Sequence, residues 1–365
     1  MTAITPTSEL IAAVKAGEMF ILVDAEDREN EGDLIVAAEF ADAAAVNFMA
    51  RHGRGLICLA LDRPRADALG LAPLPSTGSR HQTAFTPSIE AREGVTTGIS
   101  AQDRACTIAV AIDGAKGSAD IVSPGHVFPV VARDGGVLVR AGHTEASVDL
   151  ARMAGCTPAA MICEVMNEDG TMARLPDLLA MAEEFGLKIG TIADLIAHRR
   201  LHDHLIEKIH SAPVETCHGQ FTLTIFRNNL DGAEHAVLSR GEPEPGRPTL
   251  VRMHRVDFAS DVLGISERSD LVDTALAAIA QHDSAGMIVL LRHLDPLRLS
   301  RHFGLVEEPD SEARIVREFG VGAQILRAMQ VRSMILLLAS PPKRYVGLEA
   351  FELEVSGWQM LENHD

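Results

Sequence analysis

Cysteines and aromatic side chains are scarce in this sequence. Its 365 residues include one tryptophan, one tyrosine and five cysteines. The cysteines are scattered and show no C-x-x-C spacing, which argues against a disulfide framework and against a cysteine-based zinc site. We therefore expect reduced thiols in a cytoplasmic protein, and these are Cys58, Cys106, Cys156, Cys163 and Cys217.

A membrane-spanning run and a signal peptide are also missing. The longest apolar run, Met334 to Ala339, is far too short to cross a bilayer. The N-terminus lacks the basic-then-apolar layout of a signal peptide. Positive charge is in short supply as well, because 33 Lys and Arg stand against 51 Asp and Glu, a net charge of -18. We expect no membrane and no nucleic acid as partner, since binding to a phosphate backbone needs a basic face.

What the chain does have is the composition of a folded protein, 47% hydrophobic and 23% charged. Its length predicts two domains. A His- and Arg-rich stretch, His198 to Pro213, is the predicted linker, and it divides the chain into domains 1-205 and 206-365. Strands and helices follow one another irregularly, which predicts an α+β fold with a mixed sheet in the first domain. We also predict a helix from Ser8 to Glu18, capped by Ser8, and a hairpin strand from Gly136 to Arg140.

The densest polar segment, Glu26 to Asp33, lies between two apolar runs. It carries five carboxylates and one guanidinium. Two interpretations remain open. The segment is either a solvated acidic turn or a site where carboxylate oxygens hold a cation such as Mg²⁺ while Arg28 holds an anionic substrate.

A second candidate site runs from Arg140 to Thr144, from a predicted strand end into a helix start. Backbone N–H groups at a helix N-terminus, with an arginine and a hydroxyl, favour phosphate binding. His143 lies in the same turn, within reach of a metal. The segment Thr96 to Ser100 is similar, but ordinary helix capping explains it equally well. Glu164 interrupts an apolar strand, and buried acids concentrate at functional sites.

The N-terminal half resembles the 3,4-dihydroxy-2-butanone 4-phosphate synthase family of riboflavin biosynthesis. Matching motifs occur in order over most of residues 8 to 200. They are Glu26 to Asp33, Arg51-His52-Gly53 with Gly55, Thr96 to Arg104, Pro124 to Pro129, Arg140 to Asp149, and Cys163-Glu164 with Asn167 to Arg174.

The resemblance implies a lyase that converts D-ribulose 5-phosphate to L-3,4-dihydroxy-2-butanone 4-phosphate and formate. It implies Mg²⁺, for which Mn²⁺ is a reasonable substitute where an imidazole is a ligand. The implied metal ligands are Glu29 and His143, and the implied catalytic residues are His126 and Glu164. The implied substrate-binding residues are Arg28, Glu29, Asp33, Arg140, Ala141, Gly142, His143, Thr144 and Glu164. Family members are homodimers with active sites near the subunit interface.

Two departures from the family pattern concern the substrate site. Ser123 stands where the family commonly has an arginine before Pro-Gly-His, and His81-Gln82 replaces a more usual Tyr-Gly. If that arginine orients the substrate, turnover is expected to be lower here.

The second half resembles GTP cyclohydrolase II. The resemblance is carried by Glu234-His235, Val251 to His254, Gly320 to Leu326, Pro342-Lys343 and Gly347 to Glu349. The three zinc cysteines of that family fall at about Asp257, Ser269 and Leu271, so no thiolate is left. Leu294 to Leu297 replaces the family's Glu-Gly-Arg-Gly segment, and Ile315 aligns with its catalytic Asp.

We therefore expect a degenerate GTP cyclohydrolase II-like domain without Zn²⁺, because water attack on GTP needs the metal. Two alternatives stay open. The chain is bifunctional if it opens the GTP ring with other ligands, and it is a sugar-phosphate or nucleotide sensor if turnover has been lost.

Overall fold

The computed structural model describes residues 4–75, 83–203, 205–265, 270–292, 299–300, 303–306, 311–340 and 351–361, with side chains left out for 311–319. The chain divides into two compact units, 1–199 and 200–365. Each has its own seven-stranded sheet with helices, so the predicted α+β class is confirmed. None of the helices in the described part of the chain is long and apolar enough to cross a membrane.

The first unit has a mixed sheet in the order β4-β5-β3-β6-β2-β1-β7. Its strands are β1 (Phe20–Val23), β2 (Gly32–Ala37), β3 (Cys58–Leu61), β4 (Ile89–Ala91), β5 (Ile121–Val131), β6 (Ala159–Glu164) and β7 (Lys188–Thr191). The helices are α1 (Thr7–Lys15), α2 (Ala43–Phe48), α3 (Arg63–Ala68), α4 (Ala101–Ile112), α5 (His143–Met153), α6 (Leu175–Phe185) and α7 (Ile192–His202).

Both faces of the central part of this sheet are buried, which explains why strands such as β1 and β3 are continuous apolar runs. One cluster contains Ile21 and Leu34, and the other contains Phe20, Leu22 and Ile35. All five are at most 1% exposed, and burial of each such side chain contributes roughly 1.5–3 kcal/mol. The two cores hold β1 and β2 firmly, so the acidic loop between them is anchored at both ends.

Two local predictions are wrong. Gly136 to Arg140 is not a hairpin strand, because Gly136–Leu138 is a short 3-10 helix. Ser8 lies inside the first turn of α1, and Pro6 takes the N-cap position. The stretch predicted as the linker contains the boundary between the two units, and it consists of the end of α7 followed by the start of a long strand, Ile206 to Thr216. The short strand β4 was not predicted.

The second unit has the sheet order β14-β13-β11-β12-β10-β9-β8. Its strands are β8 (Ile206–Thr216), β9 (Gly219–Asn228), β10 (Glu234–Arg240), β11 (Thr249–Arg255), β12 (Gly286–Leu291), β13 (Ser333–Leu338) and β14 (Glu354–Met360), and its helices are α8 (Leu271–Gln281) and α9 (Ser311–Ala328). Apolar clusters cover both faces. Several positions used above lie outside the described residues, namely His81, Gln82, Ser269, 294–297, 342–343 and 347–349, together with the side chain of Ile315.

Candidate active site

Asp24, directly after β1, organises the acidic loop. Its buried carboxylate accepts the backbone N–H groups of Glu29 (3.1 Å) and Glu31 (2.8 Å). Nη1 of Arg28 lies 2.8 Å from the same carboxylate and 2.5 Å from Oε2 of Glu29. The loop is therefore an ordered structure built around one buried acid, rather than a solvated turn. Sequence reasoning missed Asp24; its position at the end of an apolar strand was the available signal.

His143, the first residue of α5, faces this loop. Its Nε2 lies 3.1 Å from the carbonyl oxygen of Leu22. A carbonyl oxygen only accepts, so we assign the ring proton to Nε2. Nδ1 then points toward Oδ1 of Asp33 at 3.6 Å. Burial lowers the pKa of His143, which favours the neutral ring with a lone pair on Nδ1.

The donor atoms around His143 fit a divalent cation. Ligand atoms of Asp24, Glu29 and His143 lie within 4.8 Å of one another, and so do those of Glu31, Asp33 and His143. Among the described residues, Oδ1 of Asp33 has no hydrogen-bond partner, although it is buried. Burial and the charge of Glu164 raise the pKa of Asp33 well above its usual range. Burial and the charge of Asp33 raise the pKa of Glu31 to about 7. Arg28 offsets only part of the negative charge of these acids, and a hard, oxygen-preferring cation would offset more of it.

Glu164 ends β6 and lies directly opposite Asp33 of β2 in the antiparallel register. Its Oε2 accepts the backbone N–H of Leu56 at 2.8 Å. Gly55 permits this approach, because a Cβ there would lie 2.5 Å from the carbonyl oxygen of Glu164 and 2.6 Å from Oε2. The carboxylate is thus held in place at the edge of the acid cluster.

Arg140 lies before α5, with Gly142 as the helix N-cap. Its Nη1 is 2.6 Å from Oε2 of Glu145, which is 1% exposed, and its Nη2 donates to Oγ1 of Thr83 at 2.9 Å. These two partners hold the guanidinium beside the helix N-terminus, where it can contact an anion. Thr144, on the first turn, reaches the same place.

One small pocket of about 110 Å³ collects most of the predicted residues. Its lining is Arg28, Glu29, Glu31, Asp33, Cys58, Thr83, Phe85, Val130, Arg140, His143, Thr144, Ile162 and Glu164. Ala141 and Gly142 are not lining residues, although they belong to the turn that leads into α5. The acidic loop and the helix N-terminus, two separate features of the sequence, therefore form a single site.

His126 is the predicted catalytic residue that the pocket does not include. It lies on β5, and its Nδ1 is 3.0 Å from Oε2 of Glu90 on β4. Cys58 of β3 pairs with Phe128 on one side and with Ile162 on the other. Extending this register puts His126 on the same sheet face as Glu164 but two strands away, about 10 Å between backbones. Sequence reasoning missed Glu90.

The second helix entry, Thr96 to Ser100, has the geometry of ordinary capping. Asp103 accepts the N–H groups of Thr96 (3.0 Å) and Gly98 (3.0 Å), and Ser100 caps α4. The contacts of Asp103 and Ser100 explain the structure of the segment Thr96 to Ser100 without a ligand.

Ser123, which stands where the family commonly has an arginine, donates its hydroxyl proton to the carbonyl oxygen of Ser88 at 2.8 Å.

Known proteins cover both halves of the chain. A family model for 3,4-dihydroxy-2-butanone 4-phosphate synthase matches residues 8–198, and one for GTP cyclohydrolase II matches residues 207–359. The 3,4-dihydroxy-2-butanone 4-phosphate synthase of Neisseria meningitidis serogroup B is 45% identical over 99% of this chain and 100% of its own. The riboflavin biosynthesis protein RibBA of Aquifex aeolicus is 44% identical over 95% of this chain and 90% of its own.

Solved structures of 3,4-dihydroxy-2-butanone 4-phosphate synthases are also similar to this chain. RibBX, a two-domain 3,4-dihydroxy-2-butanone 4-phosphate synthase from A. baumannii, is 38% identical with a TM-score of 0.76, and the match covers 99% of this chain and 100% of RibBX. A synthase in complex with two magnesium ions is 39% identical with a TM-score of 0.52, over 55% of this chain and 98% of that one. The chain therefore belongs to the 3,4-dihydroxy-2-butanone 4-phosphate synthase family and carries a second domain of the GTP cyclohydrolase II family.

Proposed function

We propose that the protein is the lyase of riboflavin biosynthesis that converts D-ribulose 5-phosphate to L-3,4-dihydroxy-2-butanone 4-phosphate and formate. The observation that carries the proposal is the joining of the acidic loop, His143, Glu164 and Arg140 in one pocket. Family membership and the 45% identical relative of equal length support it. The sensor alternative is not favoured, because the whole predicted acid and imidazole set is present and ordered.

Glu29 and Nδ1 of His143 are the proposed ligands of a divalent cation, Mg²⁺ or Mn²⁺. The cation disperses negative charge that builds up on the oxygens of a ketose when a proton leaves the carbon next to the carbonyl. Asp24 holds the loop backbone that carries Glu29, and the Leu22 carbonyl holds His143 in the tautomer that presents Nδ1.

The remaining residues bind the sugar phosphate and move protons. Arg140, Thr144 and the backbone of Ala141 and Gly142 form the proposed phosphate site at the start of α5, where the helix dipole adds positive potential. Arg28, beside Glu29, meets the anionic substrate at the other side of the pocket.

Asp33 and Glu164 lie side by side, and burial together with the charge of Glu164 raises the pKa of Asp33, which favours a protonated Asp33. Glu164 and His126 are the proposed catalytic residues. His126 lies outside the pocket of its own chain, and we propose a homodimer in which the second copy completes the site.

All five cysteines are free, and we place the protein in the reducing cytoplasm. A small-molecule substrate is its proposed partner, with no nucleic acid or membrane involved. In the second domain, Asp257 caps the helical turn that follows it and Leu271 begins α8, where the resemblance places zinc cysteines. We propose that this domain has no GTP cyclohydrolase activity.

The test is an assay of the full-length protein on each substrate. With Mg²⁺ and ribulose 5-phosphate we expect formate and the four-carbon phosphate, and chelation should stop both. With GTP and Zn²⁺ we expect no formate and no pyrimidine product. An inert protein on ribulose 5-phosphate with metal present would overturn the proposal, and turnover of GTP would establish the bifunctional alternative.

A further inference from the structure

The turn between β8 and β9 carries two adjacent metal-binding side chains. Cys217 and His218 form its two residues, with Thr216 and Gly219 paired across the hairpin. The turn is held in shape by two hydrogen bonds, since the Thr216 hydroxyl donates to the Gly219 carbonyl oxygen (2.8 Å) and accepts the His218 N–H (3.2 Å). The thiol and the imidazole are therefore presented from a fixed backbone.

A carboxylate from a different element meets them. Asp273 lies in the first turn of α8, 55 residues further along the chain from His218. Its Oδ1 is 2.9 Å from Nε2 of His218 and 3.5 Å from Sγ of Cys217. All three donor atoms lie within 4.8 Å of one another. None of these residues stands where the resemblance places a zinc cysteine.

The spacing fits a tetrahedral cation. With Zn–S of about 2.3 Å and Zn–N or Zn–O of about 2.0 Å, a tetrahedron has edges of roughly 3.5 Å from sulfur to oxygen and 3.3 Å from nitrogen to oxygen. The first value equals the observed contact, and the second needs a shift of a few tenths of an ångström from 2.9 Å.

The donor types narrow the choice of metal. Mg²⁺ and Ca²⁺ prefer oxygen, whereas thiolate with imidazole selects Zn²⁺ and similar borderline cations. Cys217 is exposed and the Asp273 side chain is 64% exposed, so a cation reaches the site from solvent without opening the fold. Three protein ligands leave a fourth position for water.

We propose that Cys217, His218 and Asp273 form a zinc-binding site that joins the β8–β9 turn to α8. This assignment departs from the expectation of a zinc-free second domain, which rested on the lost cysteines of the family site. It is independent of the synthase activity, because none of the three residues lines the pocket of the first unit.

To test this, the metal-free, full-length protein is titrated with Co²⁺ in the presence of excess Mg²⁺, and Zn²⁺ is then added as a competitor. The wild type should show the near-ultraviolet charge-transfer band of a cobalt–thiolate bond at one equivalent, and Zn²⁺ should remove it. The band should be absent in Cys217→Ser and present in Cys106→Ser, a control in which a half-buried thiol on α4 is changed. Because loss of a partner outside the ligand set already weakens metal affinity by about 10–100-fold, Asp273→Asn should weaken Zn²⁺ binding by at least about tenfold.

The melting temperature is a second measurement, which keeps the proposal testable if a variant folds poorly. Zn²⁺ should raise the melting temperature of the wild type and of Cys106→Ser, and leave that of Cys217→Ser unchanged. Formate release from ribulose 5-phosphate with Mg²⁺ should be the same in Cys217→Ser and wild type. A cobalt–thiolate band that survives in Cys217→Ser, or a wild type with no such band, would overturn the proposal and leave a hydrogen-bonded turn.

Discussion

Nδ1 of His143 lies 3.6 Å from Oδ1 of Asp33, a buried oxygen with no hydrogen-bond partner in the part of the chain that the structure describes. The other ring nitrogen, Nε2, donates to the Leu22 carbonyl oxygen. Nδ1 of His143 and Oδ1 of Asp33 therefore both present lone pairs toward the acidic loop. This arrangement is costly without a cation, because buried acceptors that face one another are desolvated and mutually repulsive.

The Glu29 carboxylate should be required for metal-dependent turnover. Glu29→Gln should lower the rate of formate release from ribulose 5-phosphate by on the order of 100-fold or more, because charge stabilisation by a bound cation contributes several kcal/mol. Formate release and circular dichroism should be measured together, since the fold should be retained. Glu26→Gln, an exposed neighbour in the same loop, is the matched control and should keep full activity. Equal rates for Glu29→Gln and the control would place the metal elsewhere.

The proposed dimer can be tested by mixing inactive chains. His126 lies outside the pocket that contains Glu29, so the two residues of one working site should come from different copies. Co-purified heterodimers of His126→Ala with Glu29→Gln should then recover about half of wild-type activity for each dimer, because one of two sites is intact. Each homodimer should be inactive. Heterodimers as inactive as both homodimers would mean that one chain supplies both groups.

The metal-free protein should become less stable as the pH rises from about 4.5 to about 7. Burial and neighbouring acids raise the pKa of Glu31 to about 7 and that of Asp33 well above its usual range. At these two carboxyl groups the folded state therefore binds more protons than the unfolded state in this window, which outweighs the opposite contribution of the single His143, and the free energy of unfolding falls as these protons are lost. Melting temperatures in chelator, measured at half-unit pH steps, should decline through the window.

Two comparisons make that pH profile specific. Glu31→Gln should flatten the decline, while Glu26→Gln should leave it unchanged. Added Mg²⁺ should raise the melting temperature most at the alkaline end, because the cation binds the deprotonated acids. A melting temperature that rises with pH in chelator would contradict the assignment of the buried acid cluster.

The first unit should work without the second. A chain that ends at Asp203 keeps α7 and the contact of Arg199 with Asp149 (2.6 Å), which belongs to the first unit. We expect it to release formate at a rate within about a factor of three of the full chain, since a one-domain relative matches this half over 98% of its length. Circular dichroism would show that it folds, and a folded but inert fragment would mean that residues beyond 203 take part in the chemistry.

The strands of both cores were predictable because their apolar runs are strong and bounded by turn residues. β1 and β12 are runs of this kind. Gly136 to Arg140 has the β-prone residues of a strand, but Gly135 (φ 89°) and Gly136 (φ 62°) turn the chain, and buried Asp149 accepts the Val137 N–H at 2.8 Å. Asp149 lies twelve residues from Val137 in the sequence, so the local residue pattern does not predict this contact.

The strand inside the predicted linker stretch was missed for a related reason. β8 lies at the edge of its sheet and exposes most of its side chains, so its polar composition resembles a linker, although its backbone pairs with β9 on both sides of an irregularity between Lys208 and His210. Edge strands of this kind are specified by their neighbour rather than by their own hydrophobic pattern.

The charged residues of the candidate site could be predicted from the sequence, but the residues that hold them in place could not. Glu164 stands out because it interrupts an apolar strand, Glu29 and Asp33 because they belong to a dense acidic run, and His143 because it lies at a predicted helix start, while the family resemblance supplied their roles. The partners Asp24, Thr83 and Glu145 do not, because their roles depend on contacts that only the folded chain creates. The separation of His126 from Glu164 likewise depends on strand order, which residue spacing does not reveal.

Crystals of the full chain soaked with Mn²⁺ and ribulose 5-phosphate test the central claim most directly. Anomalous scattering should place a manganese ion between a Glu29 carboxylate oxygen and Nδ1 of His143, at distances of about 2.0–2.3 Å, with the sugar phosphate in the same pocket. The account would be contradicted if the manganese peak and the bound pentulose lay outside this pocket and neither contacted Glu29 or His143.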